Sequence, residues 1–290
     1  RDTDRSRGLG DVYKRQVRHQ LRRNRPAQFS LFVLFIFVVA ALCAGLSPYD
    51  PDRMSLGART LPPDAAHWFG TDEYGRDYFT RALYGGQISL MVGFLAMLFS
   101  TLIGTVVGTV SGYFGGWLDN LMMRAVDILM AIPAFFLLLV VNAYLKPGVD
   151  NIILIISLLT WMNMSRLVRA ETLSVKEREY VLYARASGER PLRIIARHII
   201  PGVLPTIIVA ATLNIASAIL MESTLSFLGL GVQAPAASWG SMLNNAQSYI
   251  GEASWLAMFP GILILLTVFS FNVLGDVFRT AFEPGANRDE

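Results

Sequence analysis

Apolar residues in this chain come in long unbroken runs rather than at the spacings of a soluble core. Residues 29–46, 88–112, 121–144, 152–167, 203–225 and 255–274 are each predominantly apolar. A helix needs about 20 mostly apolar residues to cross a bilayer. The pattern therefore predicts an all-α, polytopic membrane protein with six transmembrane helices. The first run follows Arg18, Arg22, Arg23 and Arg25. A signal peptide also has a basic start, but this run is long and no small-x-small cleavage site follows, so it reads as a retained span. Pro48 and Pro51 stop it, because proline cannot continue a helix.

Composition supports the same class. Of 290 residues, 53% are hydrophobic and only 16% charged, against about 25% charged in soluble domains. The net charge of +3 is accounted for by basic residues flanking spans and calls for no nucleic acid. The single cysteine, Cys43, excludes an intrachain disulfide, and none of the three histidines is spaced as a metal pair. A phosphate-binding loop needs Gly-x-x-x-x-Gly-Lys-Ser/Thr; Lys14, Lys146 and Lys176 all lack that context. There is no Gly-x-Ser-x-Gly elbow and no His-Glu-x-x-His pair. The chain is expected to be non-catalytic, with no cofactor or metal of its own.

Residues 1–16 carry no apolar periodicity, and Asp11 to Gln16 reads as a translated sequencing-adapter end, so this segment is set aside; the alternative is a disordered tail. Residues 17–285 form one transmembrane domain and 286–290 a tail. Lysine and arginine mark the cytoplasmic side. Residues 17–26 hold four Arg and no acid, and residues 166–197 hold eight basic residues. Four spans separate these segments, so both are placed inside, with both termini cytoplasmic. The loops 49–85 and 231–254, the second without Lys or Arg, are placed outside.

A charged, amphipathic island at residues 171–201 interrupts the apolar runs. Gly188 and Pro191 divide it. Residues 175–187 form one helix candidate, with Tyr180, Val181 and Ala184 on one side. After the break, Leu192, Ile195, Ile199 and Ile200 recur near helical spacing. Such a knob either docks its apolar ridge into a partner groove or lies on the anionic inner leaflet.

The stretch from Arg178 to Pro205 resembles the cytoplasmic "EAA" loop of ABC-importer permeases. In that pattern a Glu-Ala-Ala triplet is followed by Gly, then by Leu-Pro. Ala184, Gly188 and Pro201 match, whereas Leu182, Tyr183 and Ile200 depart from it. The resemblance extends to His67-Trp-Phe-Gly-Thr-Asp-Glu-Tyr-Gly-Arg-Asp77, Gly112-Tyr-Phe-Gly-Gly-Trp-Leu-Asp119, Arg124-Ala-Val-Asp-Ile128, Leu225-Ser-Phe-Leu-Gly-Leu-Gly-Val232 and Ser238-Trp-Gly240. In order and spacing these are similar to the C-type subunit of dipeptide, oligopeptide and nickel permeases. The resemblance implies a type I ABC-importer permease fold in a bacterial or archaeal cytoplasmic membrane. It also implies a second related permease subunit, two cytoplasmic ATPases that bind ATP and Mg, and an extracytoplasmic solute-binding protein. Function would be ATP-driven import of di- or oligopeptides by alternating access, with nickel or opine as alternative cargo. The implied coupling residues are Glu179, Tyr180, Ala184, Arg185, Gly188, Ile195, His198 and Pro201. Glu179, one turn before Leu182, is the candidate replacement for the missing triplet Glu.

Gly104, Gly108 and Gly112 recur every four residues in the second span and predict close helix packing. Charges at membrane depth are costly. Arg124 and Asp127 read as a structural intrahelical pair or as part of a path. Glu222 reads either as facing the path or as snorkelling to the outer surface. Asn142, Asn163 and Asn214 are either interhelical glue or substrate contacts. An ion-coupled secondary transporter or channel is the alternative reading. It would need mid-membrane carboxylates for a coupling ion and usually an inverted repeat, and the sequence displays neither.

Overall fold

A computed structural model of the chain describes residues 16–133, 136–137, 140–141, 144 and 148–282. All its regular elements among these residues are helical: α1 Arg25–Leu42, α2 Tyr78–Phe114, α3 Gly116–Ala131, α4 Val149–Val175, α5 Glu179–Ala186, α6 Pro191–Ile194, α7 Ile200–Phe227, α8 Trp239–Ala246 and α9 Trp255–Phe282. Five long apolar helices, with α6 and α7 joined as one, have the length and composition to cross a membrane. The third expected span lies partly outside the described residues. Its first part, α3, ends at Ala131, where Ile132 turns extended, as the residue before a proline must. Asn142 and the segments 1–15 and 283–290 also lie outside them.

The helices run longer than hydropathy alone predicts, and polar capping explains it. Asp77 accepts from the Thr80 amide at 2.8 Å and starts α2 at Tyr78 rather than at 88. Gly115 and Gly116, at φ 64° and 60°, end it. α4 continues to Val175 instead of stopping at 167, because Arg166 and Arg169 find carboxylates on α3. α6 passes into α7 through a π turn, Ile195–Ile199, in which the Ile200 amide donates five residues back to Ile195. Pro201 follows at once and cannot donate. The widened turn absorbs that loss.

α2, α4 and α7 form the centre of the bundle, with α9 beside α7 and α1 against α2 and α9. One apolar cluster joins Val92 and Ala96 of α2 to Ile152, Ile156 and Leu159 of α4 and Ala218 and Leu225 of α7. A second lies at the end that carries α5 and α6. A third packs Trp239 and Met242 of α8 against Tyr78 and Leu256 at the opposite end. α1 leaves Phe29, Phe32 and Phe35 exposed, a large apolar surface of the kind a bilayer covers.

Candidate functional site

The island between α4 and α7 folds as a compact knob. α5 ends in a paired-hydrogen-bond cap: the Glu189 amide donates to Ala184 O at 3.1 Å and the Gly188 amide to Arg185 O at 3.0 Å. This geometry needs a left-handed residue, and Gly188 supplies it at φ 75°. No atom would meet a Cβ there, so glycine is required by backbone conformation alone. Pro191 opens α6 at its first turn.

The knob's apolar ridge is consumed by the chain itself. Val181, Ala184, Ile194 and Ile199 are buried together with Val168 and Val175 of α4 and Val203 of α7, and Ile195 is 6% exposed. The expected contact residues Ala184 and Ile195 therefore hold the knob to the bundle and are not on its surface. Tyr180, expected beside Val181, is instead partly exposed, and its ring centroid lies 6.3 Å from that of His198. His198 Nε2 and Glu189 Oε2 are 3.1 Å apart and tie the two halves of the knob. What remains outward is Leu182, Tyr183 (77% exposed), Arg185, Leu192 (74% exposed) and Arg193. Glu179 and Pro201 are exposed as well. Periodicity placed a ridge but could not say which of its two faces the bundle takes.

The base of the knob is fastened by polar bonds. Arg169 of α4 donates to both oxygens of Asp119 on α3, each at 2.6 Å, and Ser111 of α2 also donates to Asp119. The Arg169 bonds, with the smaller help of Ser111, hold the Asp119 carboxyl below its usual range. Lys176 Nζ donates to Gly112 O at 3.0 Å. Above this lock Gly104, Gly108 and Gly112 face α4. A Cβ at Gly108 would stand 2.5 Å from Ser165 O and 2.8 Å from Val168 Cβ, so the two backbones meet only because no side chain intervenes. The knob is thereby joined to α4 and α7 by packing, and α4 to α2 and α3 by ion pair and glycine contact.

Arg124 and Asp127 do not form an intrahelical pair. Asp127 instead accepts from Arg166 of α4, with both side chains nearly half exposed, and Arg124 is exposed. Glu222 faces neither an open path nor the surface. It is fully buried and takes hydroxyl donors from Ser226 at 2.7 Å and Ser89 at 3.1 Å, with Ser223 at 3.5 Å. Ser89 also accepts from the Trp239 amide at 3.2 Å, so this node ties α2, α7 and the start of α8.

Two polar features escaped the sequence reading. One is the Asp119–Arg169 bond, whose partners lie 50 residues apart. The other is a network in the loop before α2, built from what look like ordinary loop charges. Arg76 donates to Asp72 at 2.6 Å, Arg81 reaches Asp52 at 3.2 Å, and Asp72, Glu73, Arg76 and Arg81 are all buried. Burial pushes Glu73 up. The motif His67–Asp77 thus folds on itself, with Gly70 and Gly75 at φ 74° and 72°. The density of charge in the motif was its only visible signal.

Known proteins supply the remaining context. The family model "Binding-protein-dependent transport system inner membrane component" matches residues 100–288, and "N-terminal TM domain of oligopeptide transport permease C" matches residues 13–63. The dipeptide transport system permease protein DppC of Bacillus subtilis is 42% identical, over 95% of this chain and 87% of that one. The oligopeptide transport system permease protein OppC of the same organism is 38% identical, over 91% and 87%. The probable D,D-dipeptide transport system permease protein DdpC of Escherichia coli is 40% identical, over 89% and 86%. Among solved structures, an inward-facing MetNI methionine ABC transporter matches 69% of this chain and 95% of its own, with a TM-score of 0.58 and 20% identity. That likeness identifies the fold.

Proposed function

This chain belongs to the family of binding-protein-dependent transport inner membrane components, and on that premise we propose that it forms half of the membrane pathway of a peptide importer driven by ATP hydrolysed on partner subunits. A second, related permease subunit completes the pathway. One of two ATPases docks on this chain's knob, which lies on the cytoplasmic side with both termini, and a solute-binding protein delivers cargo from outside. The peptide cargo rests on the resemblance to DppC, OppC and DdpC. The cycle is alternating access: ATP acts as the ligand that prefers one state and shifts the population through another chain.

The observation that carries the reading is the two-sidedness of the knob. Its inner face is built into α4 and α7, and its outer face offers Leu182, Tyr183 and Leu192 beside Arg185 and Arg193. Leu182 stands where the resembled pattern has Glu, so the contact here is apolar with a basic rim. Its complement is an apolar groove with acidic edges. Burying Tyr183 and Leu192 is worth together about 3 kcal/mol, roughly a hundredfold in affinity. Tyr183→Asp with Leu192→Asp is therefore expected to abolish co-purification of the ATPase while the subunit still reaches the membrane. Unchanged recovery of the ATPase would refute the docking face. Solute uptake by the purified single chain under a proton or sodium gradient would instead establish the secondary-transporter reading.

A further inference from the structure

Two facing helices of the bundle carry the same residue type where one apolar row, shared between them, ends. On α4, Ile152, Ile156 and Leu159 form a row at helical spacing that packs into the cluster with Leu225, Met221 and Ala218 of α7. The helices run antiparallel, because one short knob at a single end joins them. Continuing each row one turn toward the knob reaches Asn163 on α4 and Asn214 on α7. The two lie about 18 Å and about 21 Å from the knob ends of their helices, near the middle of a span. Both side chains leave that cluster: Asn163 is exposed and Asn214 half-buried. Neither side-chain amide makes a hydrogen bond with another described residue. One turn further, Arg166 is exposed in its pair with Asp127.

Exposed carboxamides and a half-exposed ion pair at this depth are costly against lipid tails, whereas the hydroxyls of Ser217 and Thr224 on α7 are already satisfied by their own helix. We propose that Asn163 and Asn214 form a water-facing polar step in the solute path that hydrogen-bonds the main-chain amides of a passing short peptide, with the Asp127–Arg166 pair next along the way. A carboxamide suits such a step because it donates and accepts, as a peptide bond does, and carries no charge that would hold the cargo. This deepens the importer reading and rests on it for the class of cargo.

The test uses the assembled importer in vesicles, in a Cys43→Ser background that removes the only cysteine. Asn163→Cys and Asn214→Cys are expected to react with a charged, membrane-impermeant thiol reagent, more slowly when binding protein and a dipeptide are supplied. Phe35→Cys, on the exposed face of α1, should stay unreactive. Separately, Asn214→Leu should raise the half-saturating dipeptide concentration about two- to tenfold, the worth of one hydrogen bond, while Asn214→Gln restores it. If uptake stays ATP-driven but neither cysteine reacts, the positions face lipid or the second permease subunit, and the proposal is overturned. If both react with substrate protection but uptake ignores ATP, the polar step stands and the ATP-coupled reading fails.

Discussion

Gly108→Ala isolates the contact on which the central bundle is built. The added methyl would sit 2.5 Å from Ser165 O, 2.8 Å from Val168 Cβ and 2.9 Å from the Arg169 amide nitrogen. Contacts between heavy atoms relax at about 3.5–4.0 Å, so α2 and α4 must part by about 1 Å. Two of the three opposing atoms are backbone and cannot rotate away. The neighbouring contacts at Gly104 and Gly112, where an added Cβ would stand 2.6 Å from Met164 Cβ and 2.8 Å from Thr172 Cβ, would loosen in the same movement. Overpacking of this kind costs about 1–3 kcal/mol, against a gain of about 1 kcal/mol in helix propensity for alanine over glycine. With two of the three opposing atoms fixed in the backbone, the upper part of that range applies, about 2–3 kcal/mol, and the net expectation is a loss of about 1–2 kcal/mol. Gly261→Ala is the control. It lies inside α9 with no atom within 4 Å of the added carbon, so it should gain up to about 1 kcal/mol. Thermal melting of the purified chain in detergent reads both variants against the parent. The reasoning is wrong if Gly108→Ala melts with or above the parent, for then α2 and α4 do not meet backbone to backbone.

Gly188→Ala, where only the left-handed conformation objects, should cost about 1–2 kcal/mol, seen as faster protease cleavage between α5 and α6 with the rest of the chain intact. Asp119→Asn removes the charge that Arg169 binds in two places and should cost about 1–3 kcal/mol, measured by the same melting experiment. Because the Asp119 carboxyl is held below its ordinary range, its contribution is complete at neutral pH and is lost only as pH falls below about 4. The Asp119→Asn variant should therefore lose less stability than the parent on acidification through that window.

Much of this protein is legible in its sequence because a bilayer imposes a local code. A run such as 255–274 needs no partner to declare itself a span. The glycine repeat at 104, 108 and 112 and the break at Gly188 are equally local, since each states what the backbone can do at one place. Tertiary structure decided what is pairwise. Asp127 lies closer in sequence to Arg124 than to Arg166, yet it pairs with Arg166, and Asp119 finds Arg169 across 50 residues. Hydropathy gave Glu222 two open surroundings, and folding closed three serines about it. The amphipathic knob could turn either face to the bundle; packing buried Val181, Ala184 and Ile195 and left Leu182, Tyr183 and Leu192 outside. The physical reason is the same throughout. Transfer into lipid is a sum over neighbouring residues and can be read along the chain, whereas burial of a particular group depends on which distant surface meets it.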